Sequence, residues 1–141
     1  MADLVRLYVP LTKQQCRQLA AERRLPGGLT GYAVTESVRA SDPGGDQESW
    51  EYAALQDAAA AAHAAGQPVI VAAVDVDRGL VDDLPSTGSR VRVTGEITLP
   101  RVAALHVGDD VLGGQITAGP GEEIELSWYD TTELEHLVSL W

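Results

Sequence analysis

The sequence predicts an α/β or α+β domain: a single mixed β-sheet of about five to six strands, with three main helices packed on it. Three observations carry this expectation. Residues 68–76 (Pro-Val-Ile-Val-Ala-Ala-Val-Asp-Val) form the longest β-branched run, apolar on both faces, as in a central strand covered on both sides. The chain before it alternates strand-like and helix-like segments, a β-α-β-α-β order that suggests parallel crossovers. The chain after it is mostly strand-like and closes with a helix, which suggests an antiparallel extension. At 141 residues the expected organisation is one globular domain, residues 1–141. Such a length buries enough apolar surface to fold without a disulfide or a structural metal.

Residues 4–9 alternate, with Val5, Leu7 and Val9 on one face and Leu4, Arg6 and Tyr8 on the other, and Pro10 closes the strand. Thr12 and Gln15 form a capping box, with Leu11 and Cys16 at the staple positions. The helix they start should run to about Arg24 on a narrow stripe of Cys16, Leu19 and Ala20. Arg23 and Arg24 would then complement its C-terminal dipole, before Pro26-Gly27-Gly28 stops it. Residues 29–35 read as a short strand, 35–38 as a helical turn and 41–46 as a loop.

Asp46 caps a helix that reaches about Ala65 and ends at Gly66. Ala54, Leu55, Ala58, Ala61, Ala62 and Ala65 share one broad face, small enough for the helix to lie close to a sheet. Glu51 projects near the middle of that face, Trp50 and Asp57 flank it, and Tyr52 and His63 lie on the far side. After the central run, residues 77–84 connect to a turn at 85–88. Residues 89–94 alternate, with Val91 and Val93 inward and Arg90, Arg92 and Thr94 outward, and 95–99 extend them. A helical turn at 100–103 precedes a strand at 104–107 that carries His106. Glycines from 108 to 121 mark an irregular region. Residues 123–128 then read as a final strand with Trp128 in the core. Asp130 or Thr132 caps the last helix, whose stripe is Leu134, Leu137, Val138 and Trp141, so that the terminus is docked.

The net charge is −11 and the pI is about 4.5. The alanine, glycine, valine and arginine bias, with no phenylalanine, resembles the output of a GC-rich bacterial genome. No Lys or Arg follows Arg101, while Asp109, Asp110, Glu122, Glu123, Glu125, Asp130, Glu133 and Glu135 do. Such a surface repels phosphate backbones, so neither a nucleic acid nor a membrane is an expected partner. It attracts a basic protein or a divalent cation; the plain alternative is solubility alone. Cys16 is the single cysteine, which excludes an internal disulfide and a cysteine metal cluster. With no leader-like or membrane-length apolar segment, a soluble cytoplasmic protein is expected.

Six segments have a familiar order and spacing: Arg6-Leu7-Tyr8-Val9-Pro10, Tyr32-Ala33-Val34-Thr35, Glu51-Tyr52-Ala53-Ala54-Leu55, Val69-Ile70-Val71-Ala72-Ala73, Val102-Ala103-Ala104-Leu105-His106-Val107 and Leu126-Ser127-Trp128-Tyr129-Asp130. Together they resemble an uncharacterised family of small actinobacterial proteins classed as a domain of unknown function. The resemblance implies a bacterial cytoplasmic setting and no mechanism.

Four constellations bear on chemistry. His106 with Asp109 and Asp110 places an imidazole beside two carboxylates, donors suited to a divalent metal, or else a hydrogen-bonded histidine followed by a turn. Glu51 on an apolar helix face, with Tyr52 and Asp57, is a candidate ligand-binding carboxylate whose raised pKa would suit it to serve as an acid or base, or else a charge that complements the helix N-terminus. Arg90 and Arg92 share one strand face and are placed to hold a carboxylate or phosphate, or to pair with Glu123 and Glu125 on a neighbouring strand. Tyr8, Tyr32, Tyr129 and Trp141 form an interface patch, or pack in the core. Asp75, at the end of the central run, is where a ligand meets an open sheet. No nucleotide, zinc-hydrolase or serine-hydrolase motif occurs, and no cofactor is expected. Two readings follow. One is a non-catalytic binding or regulatory module acting through protein contacts, with a basic partner or a second copy of itself. The other is a metal-dependent enzyme or metal-binding protein built on His106 and the nearby carboxylates.

Overall fold

The computed structural model describes residues 3–84, 88–119 and 121–141. The turn expected at residues 85–88 lies outside them except for Gly88. β1 (Leu4–Pro10) follows the alternation of its residues. The capping box then forms as its pattern requires: the Gln15 N–H donates to Thr12 Oγ1 (3.1 Å) and the Thr12 N–H to Gln15 Oε1 (2.9 Å). It starts α1 (Lys13–Glu22), which stops earlier than its charges suggest. Arg23 turns left-handed at φ 62°, and Arg24–Leu25 leaves as β2. The two arginines therefore lie beyond the helix's last turn. β2 pairs with β7 (Ile97–Thr98) in a small separate sheet, joined by the buried Leu25 and Ile97. This pairing draws residues 97–98 away from the strand they were expected to extend.

The remaining elements are β3 (Thr30–Ala33), α2 (Glu36–Ser41), α3 (Gln47–Ala64), β4 (Ile70–Asp77), β5 (Val81–Asp83), β6 (Arg90–Val93), β8 (Val102–Val107), β9 (Ser127–Asp130) and α4 (Leu134–Ser139). Thr35 caps α2 and Asp46 caps α3, each through a side-chain oxygen that accepts an N–H three residues on. Asp130 with Glu133 provides the last capping box, on the 3-10 turn that leads into α4.

The main sheet has seven strands in the order β5-β6-β3-β1-β4-β8-β9, and every described pairing is antiparallel. The mixed sheet of five to six strands is corrected on both counts. β1 lies between β3 and β4 and runs antiparallel to each, so β3 and β4 run the same way and α3 is the crossover between them. The parallel unit foreseen in the sequence exists, but β1 fills its slot. The chain leaves β1 at Pro10 and rejoins the sheet at Thr30 beside it, which makes α1 and β2 an excursion from a hairpin. The seventh strand is β5. Its paired aspartates have low strand propensity, but it adds to β6 with Asp82 opposite Arg92. β1, not β4, is the middle strand.

Three layers result. Leu7, Val9, Ile70, Val74 and Leu105 face Cys16 and Leu19 of α1 and Leu134 and Leu137 of α4. Tyr8, Val71, Ala73 and Ala104 face Ala54, Leu55, Ala58, Ala59 and Ala62 of α3. Both faces of β4 are buried, as its composition requires. α3 lies over β3, β1 and β4, Ala104 of β8 joins its cluster, and Ile116, Ile124 and Leu126 pack beside it; β9 is the strand beyond them. There Trp128 is 60% exposed, correcting its expected place in the core, while Tyr129 is half-buried against the opposite face. Tyr8 and Tyr32 face α3, whereas Tyr129 and Trp141 pack on the α1–α4 side. The four aromatics form no single patch.

Cys16 is fully buried, and burial pushes its thiol up to about 12. A disulfide reagent at mildly alkaline pH should therefore leave the folded chain unlabelled and react at once in urea. Rapid labelling without denaturant would show that α1 leaves the sheet readily.

Candidate functional site

Two polar clefts flank α3 on its face of the sheet. The first lies at the helix's N-terminal end, where the register sets Arg6 of β1 directly opposite Asp75 of β4. The guanidinium grips the carboxylate in bidentate fashion, Nε to Oδ1 at 2.7 Å and Nη2 to Oδ2 at 3.1 Å. This bond, more than the charges around it, raises the Arg6 pKa, with burial opposing. About a third of each side chain remains exposed, so the pair is worth about 1 kcal/mol at most. Glu51, Gln47, Arg39 and Arg78 complete a cleft of about 330 Å³. Gln47 donates to Glu51 (3.2 Å). Burial raises the pKa of the adjacent Tyr8, and the Glu51 charge adds to it.

The second cleft lies between α3 and residues 123–127. Tyr52 Oη donates to Glu123 Oε2 (2.9 Å). Gln56 clamps the backbone of Ile124: its Nε2 donates to the carbonyl (3.0 Å) and its Oε1 accepts the N–H (2.9 Å). These bonds stand in for a strand ladder, which is why the strand expected from residue 123 begins only at Ser127. The groove they enclose is about 610 Å³, floored by Leu55, His106 and Leu126 and rimmed by Asp109, Glu123 and Glu125.

His106 is half-buried and meets Tyr8 edge-on, with ring centroids 6.4 Å apart. Burial, then the Arg6 charge, holds its pKa below the ordinary 6.5. The unfolded chain therefore takes up this proton more readily. The stability that His106 contributes is whole above the ordinary value and is lost as pH falls through the lower folded one. Urea midpoints should fall between about pH 7.5 and pH 5.5, and His106→Gln should flatten part of that slope. An equal slope in both proteins would refute the linkage.

Asp110 Oδ1 accepts the Val69 N–H (3.0 Å) and so closes the start of β4. Gly108 permits this approach, since a Cβ there would lie 2.9 Å from Val69 Cβ. Among the described residues no group of three or more His, Cys, Asp or Glu is placed to hold a metal ion, so His106, Asp109 and Asp110 do not form one.

The structure thus brings Asp75 and Glu51 together in one cleft, and His106 and Asp109 in the other. Arg90 and Arg92 stand apart on β6, exposed, with Arg90 opposite Tyr32 and Arg92 between Thr30 and Asp82. The acidic cross-strand neighbour of Arg92 is Asp82, a correction to the expected Glu123 and Glu125, which lie beyond β1 and β4. Sequence reasoning missed Gln56 and the exposure of Trp128. It placed Asp57 beside Glu51 but missed its partner: Asp57 accepts a 2.6 Å hydrogen bond from Ser89, itself only 2% exposed. The available signal was Tyr52 and Gln56 four residues apart, a polar pair on an alanine-rich helix.

Residues 5–138 match the model of a family of unknown function, DUF6912. The chain belongs to this family. The DUF6912 match runs from within β1 to within α4 and so takes in both clefts. No curated protein and no solved structure matches the chain. Among its described residues, no helix is long and apolar enough to cross a membrane.

Proposed function

We propose that this DUF6912 protein is a non-catalytic binding module that docks a basic protein partner along the β8–β9 side of its sheet. One observation carries the reading: Trp128 is 60% exposed on an edge strand, within a stretch that holds no Lys or Arg. An uncovered tryptophan on an open edge has the character of an interface anchor. The surrounding carboxylates steer a cationic partner toward it and repel a second copy carrying the same −11 charge.

Titration of the protein with a lysine-rich extended peptide, followed by tryptophan fluorescence and calorimetry, tests this. Saturable binding should weaken about tenfold or more between 50 and 300 mM salt. Trp128→Ser should weaken it, while Glu48→Gln on the outer surface of α3 should not. Salt-independent binding, or equal loss in both variants, would overturn the proposal. So would concentration-dependent dimerisation in light scattering that Trp128→Ser abolishes, which would make a second copy the occupant.

A further inference from the structure

Resting on that reading, we infer that the groove between α3 and residues 123–127 receives one long cationic side chain, arginine or lysine, from the docked segment. The groove's two surfaces match the two halves of such a side chain. Leu55 and Leu126 offer an apolar floor for an aliphatic stem, and Asp109, Glu123 and Glu125 offer carboxylates to its charged head. Among the described residues no Lys or Arg lines the groove, so its carboxylates meet no basic side chain there. An apolar guest would desolvate those carboxylates without replacing their hydrogen bonds, and an anion would be repelled. Glu123 is already oriented: Tyr52 holds Oε2 and leaves Oε1 for a guest.

Geometry also asks for length. β9 is the edge strand, and an extended segment added outside it lies about 4.8 Å further out. A side chain on that segment must pass over Trp128, whose cross-strand partner is His106 on the groove floor. A guanidinium or ammonium crossing the exposed indole gains a cation–π contact on the way.

The test uses the full chain and four otherwise identical lysine-flanked peptides with arginine, lysine, citrulline or leucine at one central position. Calorimetry should show the arginine and lysine peptides binding about tenfold more tightly than the citrulline and leucine peptides. Glu123→Gln, which keeps the Tyr52 hydrogen bond, should bring arginine and citrulline to within about twofold. Trp128→Ser should weaken all four peptides. Equal affinity for arginine and citrulline in the unaltered protein would overturn the groove assignment and leave the docking reading standing. No saturable binding of any peptide would overturn the docking reading, and the groove assignment with it.

Discussion

Truncating Leu7 to alanine should cost about 2–5 kcal/mol of folding stability. Leu7 is fully buried at the centre of the middle strand, between Ala33 of β3 and Val74 of β4. The strands on both sides fix the backbone, so the vacated volume has little freedom to collapse. Domains of this size have about 5–15 kcal/mol in total, so the loss is a large fraction of it. Urea unfolding should show a lower midpoint with an unchanged slope. The exposed Leu4 on the same strand is the comparison: Leu4→Ala should stay within about 0.5 kcal/mol. A loss at Leu7 no larger than that at Leu4 would mean that β1 is not packed between its neighbours.

Gln56→Ala should have the second-largest effect. Gln56 is the only described hydrogen-bond partner of both the N–H and the carbonyl of Ile124, and the Ile124 side chain is buried. Leaving those groups unpaired should cost about 2–3 kcal/mol. The larger change is local: residues 122–126 should lose their seat beside α3, and the groove its outer wall. Amide exchange at Ile124 should accelerate, and the arginine preference of the groove should disappear. Gln56→Glu keeps the acceptor for the N–H but sets a carboxylate against the carbonyl, so it should fall between alanine and the native residue. Unchanged exchange at Ile124 in Gln56→Ala would show that the segment is held by something else.

The helices and most strands were legible because their signals are local. The Thr12–Gln15 and Asp130–Glu133 capping boxes, the Asp46 cap and the alternation at 4–9 and 90–93 each involve residues within a turn or two of one another. What the sequence did not disclose depends on distant partners. β5 exists because β6 offers it an edge, and β2 exists because Ile97 is there to cover Leu25. The antiparallel sheet follows from the placement of β1, which no property of residues 4–10 announces. Trp128 has the alternation of a core residue, but it stands on an edge strand beyond the strands that α3 covers and stays exposed. In the site, Asp75 and Glu51 were singled out, but Arg6 as their neighbour emerges only from the register. Gln56 carries no motif, since clamping a backbone asks for an amide at the right height on a helix and nothing more.

The position of β1 has a consequence for how the chain is made. Of the sheet's seven strands, the earliest in the chain is the one that must end in the middle, and the Arg6–Asp75 grip joins residues 69 apart. Until β4 has been synthesised, β1 can pair on one side only, and its other edge stays open. Nascent chains halted before residue 70 should therefore hold β1 in a form that proteases cut, and protection should appear abruptly once β4 has cleared the exit tunnel.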